Sequence, residues 1–328
     1  METFTCPACG ERLFFRNAVC GCGAAVAFDP ETRAFALLDD ACAPCANRDA
    51  IGCNWRAGGA GGGLCASCAM TRTMPDLAVA DNAALWTEAE EAKRQVLANL
   101  MRWGLFTARD ASPAPVFDML AEQTESGAAR VMMGHLDGVV TINIAEADPA
   151  VREARRQQMA ERYRTMTGHF RHELGHFVFA RLAAAEGFLD AFRALFGDER
   201  ADYAEALRRH YARPAADSDP DHVTPYAAAH PHEDWAETFA HHQHLVDIAD
   251  SAARMGLISP ALAAVGGADF DPYACDDAEQ VLRVAVELGV AVNHVNRAMG
   301  LHDVYPFVLT AAVREKLAFA HRWIGAAA

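Results

Sequence analysis

Two histidines and a glutamate occur within five consecutive residues, His172-Glu173-Leu174-Gly175-His176. Side chains four residues apart project from one face of a helix, so His172 and His176 can bind one zinc ion together. Glu173 then lies where it can take a proton from a zinc-activated water, which is the chemistry of metal-dependent hydrolysis. Because so short a motif also arises by chance, it needs support from elsewhere in the chain.

The segment from Tyr226 to Glu237 supplies that support. A catalytic zinc takes three protein ligands and keeps one position open, and a carboxylate from a second helix is a common third ligand. Glu233 is the expected third ligand, and Glu237, one turn later, is expected to accept a hydrogen bond from a ligand histidine. Tyr226 is expected to stabilise the oxyanion that forms during attack on a carbonyl. The alternative for Tyr226 is an ordinary packing role.

Other histidines compete for the same metal. His169 lies one turn before His172, and five more histidines surround the second helix. His241 or His242 is the fallback third ligand, ranked below Glu233 because both fall about two turns from the helix start. The five histidines are His230, His232, His241, His242 and His244.

Nine of the ten cysteines lie in the first 68 residues. Since no apolar secretory segment precedes them, this crowding indicates metal binding rather than disulfides. Two tetrahedral structural zinc sites are predicted, the first with an unusual Cys-x-Cys pair. Cys42 is left over and is an alternative to Cys45. The predicted ligands are Cys6, Cys9, Cys20 and Cys22 for the first site, and Cys45, Cys53, Cys65 and Cys68 for the second.

The helices and the strand that the sequence pattern predicts around these residues indicate an α+β protein. A Cys-rich double zinc-ribbon module, residues 1–78, precedes a mostly α-helical zincin-like domain with a small β-sheet, residues 79–328. The β-branched run at 139–144 predicts a strand, either an edge strand that pairs with substrate or an internal one. Residues 214–231 predict a Pro/Asp-rich loop. Helices are predicted at 82–105, within 152–186, at 189–213 with a break near 197, and at 231–250, 276–299 and 304–324.

The helix that carries the two histidines should be buried on a neighbouring face. Its apolar residues recur every three or four positions, which is the spacing of a core-facing helix. This burial would make the helix rigid enough to fix the two imidazoles. The residues of this face are Met166, Phe170, Leu174, Phe177 and Val178.

Composition restricts the partners. The formal net charge is −15, and the first 80 residues contain six arginines, no lysine and eight acidic residues. Nucleic-acid binding depends on basic residues that neutralise phosphates, so a nucleic-acid partner is not expected. No apolar stretch is long enough for a membrane span, and a cytoplasmic location is expected.

Several segments together resemble a known family. Gly168-His169-Phe170-Arg171-His172-Glu173-Leu174-Gly175-His176-Phe177, Glu233-Asp234-Trp235-Ala236-Glu237 and the Cys45-Ala46-Asn47-Arg48 region are similar to bacterial zinc-binding metallopeptidases with an N-terminal zinc ribbon. The C-terminal half also resembles the gluzincins, including the catalytic domain of anthrax lethal factor. The resemblance implies a peptidase fold and mechanism.

The resulting hypothesis is a peptidase with one catalytic and two structural zinc ions, acting on a peptide or protein substrate. Its zinc ribbon would contact a protein partner or only stabilise the fold. Two alternatives have different functions. One is a non-catalytic zinc-ribbon scaffold, which the presence of Glu173 disfavours because a scaffold needs no general base. The other is a DNA-associated protease of the SprT-like kind, which the acidic composition disfavours.

Overall fold

The computed structural model describes residues 2–59, 63–125, 127–159, 161–212 and 219–328. The chain divides into two compact units. The first unit comprises residues 2–159 and 164–170, and the second comprises residues 171–328 with a short segment that ends at Tyr163. The predicted α+β class, with a Cys-rich N-terminal part before a mostly helical domain, is confirmed. The boundary predicted near residue 78 lies inside the first unit and stays a prediction.

The described strands all belong to the first unit and form four sheets. Three sheets are two-stranded antiparallel pairs, β1 with β2, β3 with β4 and β7 with β8, and the fourth has the order β5-β6-β10-β9. The strands are β1 (Thr3–Thr5), β2 (Arg12–Phe14), β3 (Val26–Asp29), β4 (Ala34–Leu37), β5 (Thr71–Thr73), β6 (Val116–Leu120), β7 (Gln123–Thr124), β8 (Gly127–Ala128), β9 (Gly134–Leu136) and β10 (Val139–Asn143).

A small aromatic cluster packs the N-terminal strands together. The ring of Phe28, on β3, lies 5.1 Å from that of Phe15 and 5.3 Å from that of Phe4. Phe35 and Trp55 complete the cluster at 5.6 and 5.8 Å from the same ring. These edge-on contacts bury the few large apolar side chains of the segment. The core is small, so the folded state still depends on further cross-links.

Strand β10 is the β-branched run that the sequence predicts. It pairs in parallel with β6 and antiparallel with β9, so that Val140 lies opposite both Phe117 and His135. Its backbone groups are therefore used on both sides. The internal alternative is confirmed, and the expectation that this strand is an edge strand for substrate pairing is wrong.

Eleven α-helices and four short 3₁₀ helices are present in the described residues. The α-helices are α1 (Arg48–Ile51), α2 (Ala66–Ala69), α3 (Asn82–Met101), α4 (Pro149–Gln158), α5 (Met166–Leu182), α6 (Phe188–Phe196), α7 (Tyr203–Tyr211), α8 (Pro231–Met255), α9 (Pro260–Ala264), α10 (Ala278–Ala298) and α11 (Ala311–Ile324). The 3₁₀ helices are Ile144–Ala147, Ala227–Ala229, Gly267–Asp269 and Gly325–Ala327.

The predicted helices are found, with two differences in extent. Helix α8 continues past the predicted end near residue 250 and stops at Gly256, which adopts the left-handed conformation of a C-cap. The helix predicted from residue 304 begins only at Ala311, because the backbone N–H of Val304 donates to the Asn293 side chain and Thr310 caps the helix start. Residues 213–218, where the predicted loop begins, lie outside the described residues.

The predicted buried face of α5 is confirmed. Its five apolar residues are each at most 7% exposed. In the second unit, α8 packs against α6, α10 and α11 and is buried along much of its length. Trp235 lies at the centre of this packing, fully buried among phenylalanines. In the part of the chain that the structure describes, no helix combines the length and the apolar character needed to cross a membrane.

Candidate metal centres

Helices α5 and α8 approach each other closely at Gly175, between the two motif histidines. A Cβ at this position would lie 3.1 Å from Ala236 Cα and 3.2 Å from Phe239 Cδ1. A larger residue would therefore push the helices apart. The indole Nε1 of Trp235 donates a hydrogen bond to the Gly175 carbonyl at 2.8 Å and fixes the crossing. The crossing brings the first turn of α8, with Glu233, to the motif histidines.

The start of α8 is set by local sequence. Pro231 occupies the first turn, where its missing N–H costs nothing, and the His230 ring accepts a hydrogen bond from the His232 N–H at 3.1 Å. Acidic Glu233 and Asp234 follow at once, where the helix dipole favours negative charge. Glu233, the expected third ligand, therefore lies in the first turn of a capped helix.

Three donor atoms converge at this crossing. His172 Nε2 lies 3.2 Å from His176 Nε2 and 3.0 Å from Glu233 Oε2, and the latter lies 3.6 Å from His176 Nε2. Tetrahedral zinc with bonds of about 2.05 Å holds its ligand atoms about 3.3 Å apart. Glu233 Oε2 is fully buried and makes no well-aligned hydrogen bond within the described ranges. The donor set therefore fits zinc.

Glu237 fixes the orientation of His172. Its Oε1 lies 2.7 Å from His172 Nδ1, and its Oε2 accepts a hydrogen bond from Thr224 Oγ1 at 2.7 Å. A carboxylate on Nδ1 places the ring proton there and leaves Nε2 as the free, metal-facing nitrogen. The structure thus puts Glu237 against a ligand histidine, where the sequence analysis expects it.

The charges at the centre are mutually supporting. Burial opposes the charged form of His172, but Glu233 and Glu237 outweigh burial and raise its pKa well above the usual range. Burial also opposes ionisation of Glu233, but His172 and His176 hold its pKa far below the usual carboxyl range. Glu233 is therefore ionised at neutral pH. Without metal, the protonated His172 ring compensates the negative charge of Glu233. A bound metal cation would compensate that charge instead.

Sequence reasoning missed Tyr203, the first residue of α7. Its hydroxyl donates a hydrogen bond to Glu233 Oε1 at 2.6 Å, opposite the oxygen that faces the histidines. Burial and the Glu233 carboxylate raise the Tyr203 pKa above its usual range, so the phenol keeps its proton. Tyr203 is 30 residues from Glu233 and belongs to no motif. No sequence signal could have identified it.

Glu173 follows His172 directly in the motif, and the Tyr226 ring lies beside the His172 ring. Glu173 is 7% exposed, and its Oε2 has no hydrogen-bond partner among the residues that the structure describes. The Tyr226 ring centroid lies 5.9 Å from that of His172. Burial and Glu233 raise the Tyr226 pKa far above its usual range, so this phenol also remains a donor.

The rival histidines are engaged elsewhere. His169 Nε2 lies 2.8 Å from Glu146 Oε2, in the first unit. His241 Nδ1 contacts the Tyr305 hydroxyl at 2.7 Å, and His242 Nε2 contacts His321 Nδ1 at 2.9 Å. Burial lowers the pKa of His241 to about 4 and that of His242 well below its usual range. The His241 and His242 rings are neutral packing partners, and none of these three histidines belongs to the converging donor group.

The cysteines form two groups of four. Cys9 Sγ lies 3.7 Å from Cys20 Sγ in the first cluster, and Cys53 Sγ lies 3.7 Å from Cys65 Sγ and 3.8 Å from Cys68 Sγ in the second. Four sulfurs around one zinc at about 2.3 Å are about 3.8 Å apart, so both clusters fit zinc and neither fits a disulfide. The first cluster is Cys6, Cys9, Cys20 and Cys22, and the second is Cys45, Cys53, Cys65 and Cys68.

Cys42, the alternative to Cys45, lies outside both clusters. Its backbone pairs with Asp39, and burial raises its thiol pKa. Cys45 is 1% exposed, and its sulfur accepts a hydrogen bond from the Cys65 N–H at 3.3 Å. The structure therefore brings Cys45, and not Cys42, to the other three cysteines.

Comparisons with known proteins agree with this chemistry. A family model described as "Putative zinc-binding metallo-peptidase" matches residues 82–323, and a zinc-ribbon model matches residues 3–43. The chain belongs to this metallopeptidase family. The zinc-ribbon match contains the first cysteine cluster, whereas the second cluster lies between the two matched segments.

The family resemblance recognised in the sequence is thereby confirmed. Relatives described as uncharacterized proteins, from Mycobacterium bovis and two strains of Mycobacterium tuberculosis, are 42% identical over 330 residues. The alignments cover 98% of this chain and 94% of each relative. No solved structure matches the chain.

Proposed function

We propose that this protein is a zinc-dependent metallopeptidase that hydrolyses peptide bonds. His172, His176 and Glu233 would hold the catalytic zinc. The observation that carries the proposal is the convergence of these three donor atoms, 3.0 to 3.6 Å apart. Glu173, the residue after His172, adds a buried carboxylate oxygen that is unpaired among the described residues. A metal site without a catalytic task has no need of a buried, partnerless carboxylate at its edge.

The side chains around the donors have distinct tasks. When bound, zinc supplies a Lewis acid that acidifies water and polarises a carbonyl. Glu173 accepts the proton of the attacking water and passes it to the leaving amine. Glu237 holds His172 in the required tautomer, and Tyr203 holds the second oxygen of Glu233 so that the first stays directed at the histidines.

Tyr226 is the proposed oxyanion donor. Its raised pKa keeps the phenol protonated at neutral pH, which is the state that can donate to a developing negative charge. Its position beside the His172 ring puts the hydroxyl in the neighbourhood where a substrate carbonyl would bind. The assignment supports acyl transfer to water, with a peptide or a protein as substrate.

The two cysteine clusters would bind structural zinc, which gives three zinc ions in total. Tetrahedral four-cysteine sites leave no open position for a substrate. Their contribution would be to the fold, and the ribbon surface remains the expected contact for a protein partner. The cytoplasmic location and the absence of a nucleic-acid partner stay predictions from composition.

Metal content measured alongside peptide hydrolysis tests the proposal. Elemental analysis of the purified wild type should give about three zinc ions, as two closed sites and one open site require. His172→Ala and Glu233→Ala should each lose one zinc and abolish cleavage of a mixed peptide library. His169→Ala is the matched control on the same helix, and it should keep all three zinc ions.

A zinc count of two that neither substitution changes would overturn the assignment. The protein would then be better described as a non-catalytic zinc-ribbon scaffold. Full metal occupancy without cleavage of any library peptide would keep the metal site but remove the peptidase activity. Salt-sensitive binding to DNA would instead favour the SprT-like alternative.

A further inference from the structure

Arg94, in the middle of α3, is a buried cation with N–H groups that no acceptor satisfies among the described residues. It is 2% exposed, and neither its Nε nor its Nη1 has a hydrogen-bond partner among the described residues. A buried guanidinium without a counter-charge costs several kcal/mol, on the order given for breaking buried ion pairs. Its neighbour Lys93 follows the usual pattern, since its Nζ contacts Glu90 Oε1 at 2.9 Å. Glu91 acts on Arg94 through its charge but leaves the Nε and Nη1 groups unbonded, so Arg94 can donate to a further anionic acceptor.

The second cysteine cluster lies on the other side of the same packing. Helix α3 packs against α1, which ends just before Cys53, and against α2, which contains Cys68. The four sulfur-bearing residues are all at most 2% exposed. Among the charges that act on Cys53, the cluster thiols have the largest effects on its pKa, and Arg94 also lowers it. Arg94, buried in the helix that packs on both cluster segments, therefore lies within electrostatic reach of this cluster.

A loaded cluster would be an anion. Four thiolates and one Zn²⁺ carry a net charge of −2, and burying such a charge is costly unless a cation compensates it. Guanidinium N–H groups form charge-assisted hydrogen bonds with anions and hold a fixed fork geometry. The unbonded N–H groups of Arg94 would supply donors to the negative charge of the loaded cluster.

We propose that Arg94 is the counter-cation of the zinc-loaded second cysteine cluster and donates N–H bonds to its thiolates. The metal site is thereby joined to α3, the first helix of the segment matched by the metallopeptidase family. The cluster becomes part of the fold of that helix and is not a detachable module. The proposal rests on zinc in this cluster, and it stands whether or not the protein cleaves peptides.

Site-resolved cysteine alkylation of the full chain tests the proposal. The zinc-loaded protein is exposed to a competing chelator and iodoacetamide, and the modified cysteines are mapped by mass spectrometry. In Arg94→Met the second-cluster cysteines should react about 10- to 100-fold faster than in the wild type, the range seen when outer-shell partners of a metal are removed. Arg94→Lys keeps the charge and should fall between the two.

The first cluster is the internal reference, and Lys93→Met is the matched control. Lys93 is equally buried and adjacent on α3, but it pairs with Glu90. Unchanged second-cluster rates in Arg94→Met would overturn the proposal. Equal acceleration of both clusters would also overturn it, because it would indicate general unfolding. An effect of Lys93→Met as large as that of Arg94→Met would reduce Arg94 to a packing residue.

Discussion

The second cysteine cluster and the histidine-glutamate centre both bring side chains to one point. They differ in how many of the four positions around a tetrahedral metal the protein would fill. All four cysteines are buried and all four positions of a tetrahedron are filled by protein sulfur. The other centre offers three donors, and its two histidines are only partly buried. Glu173, the residue after His172, has a buried oxygen that is unpaired among the described residues. A zinc site with four protein ligands stabilises the fold, whereas a catalytic zinc site must keep one coordination position open for water or substrate.

The two centres also differ in how they are positioned. The cysteines come from one stretch of 24 residues, Cys45 to Cys68, with short loops and two one-turn helices. The histidines and Glu233 come from two long helices that cross at Gly175. A closed site can be built locally, whereas the open site depends on tertiary packing. Substitutions at the two centres should therefore affect different properties.

The largest expected effect is on activity at the open centre. Glu173→Gln keeps the shape of the side chain but removes the general base, so kcat for peptide cleavage should fall by about 10²- to 10⁴-fold. Zinc content and thermal stability should stay close to those of the wild type, because Glu173 is not a donor of the metal group. Full activity in Glu173→Gln would exclude the proposed role, and loss of zinc would point to a ligand role instead.

The next largest effect is on stability, and it separates the two cysteine clusters. Cys53 is fully buried, whereas Cys9 is exposed. Cys53→Ser should cost about 3 kcal/mol or more because a buried zinc cluster loses a ligand, and Tm should fall by roughly 10 °C. Cys9→Ser should cost about 1 kcal/mol, because its part of the cluster is solvated.

Thermal unfolding followed by circular dichroism, with zinc content measured on the same samples, distinguishes the two clusters. Equal losses of Tm in the two variants would contradict the view that the second cluster is the main cross-link. Preserved zinc in Cys53→Ser would show that serine or water replaces the thiolate. The difference in Tm loss between the buried second cluster and the half-exposed first cluster would then not follow from metal binding.

Short-range features of both centres were predictable from sequence. The four-residue spacing of His172 and His176 follows from helix geometry, and the paired cysteines follow from the local chemistry of zinc knuckles. Glu233 was predictable as well, because Pro231 marks the helix start and the acidic residues follow it. These signals need no knowledge of how distant segments pack.

Long-range features were not predictable, for a physical reason. Tyr203 and Thr224 contact the centre only because helices from separate parts of the chain meet there. The unpaired Nε and Nη1 groups of Arg94 likewise result from packing, because the residues around Arg94 in the sequence have the spacing of an ordinary amphipathic helix. The late start of α11 depends on the Asn293 side chain, which binds the backbone of Val304 from another helix.

A smaller effect is expected where Tyr203 supports the open centre. Tyr203→Phe removes the hydrogen bond to Glu233 Oε1, so zinc affinity at the catalytic centre should fall about 10-fold, the lower end for such partners. Competition with a chromophoric chelator measures this affinity. Tyr211→Phe is the control on the same helix, since Tyr211 is exposed and should leave affinity unchanged. Equal affinities in wild type and Tyr203→Phe would remove Tyr203 from the site.

The last expected effect concerns a third kind of polar centre, which is held by ion pairs without metal. Glu146 is 2% exposed and contacts His169 at 2.8 Å, Arg164 Nε at 2.6 Å and Arg155 Nη1 at 2.9 Å. Burial opposes its ionisation, but His169, Arg164 and Arg155 together outweigh burial and hold its pKa below the usual range. The carboxylate therefore contributes stability above the ordinary glutamate pKa of about 4.3, and this contribution is lost as the pH falls through the folded-state pKa.

Glu146→Gln should lower the free energy of unfolding by about 3 kcal/mol at pH 7, at the lower end of the range for removing one partner of a buried charge network. The difference from wild type should stay constant down to about pH 5 and shrink below about pH 4, because Glu146 of the unfolded wild-type chain then takes up a proton while Glu146 of the folded chain is still ionised. Urea unfolding of both proteins at each pH measures the difference, and any acid release of zinc is common to both. Zinc content at pH 7 should be unchanged, because Glu146 lies outside all three donor groups. A stability difference that persists undiminished at pH 3, or a lost zinc ion at pH 7, would mean that Glu146 does more than anchor the start of α5 by charge.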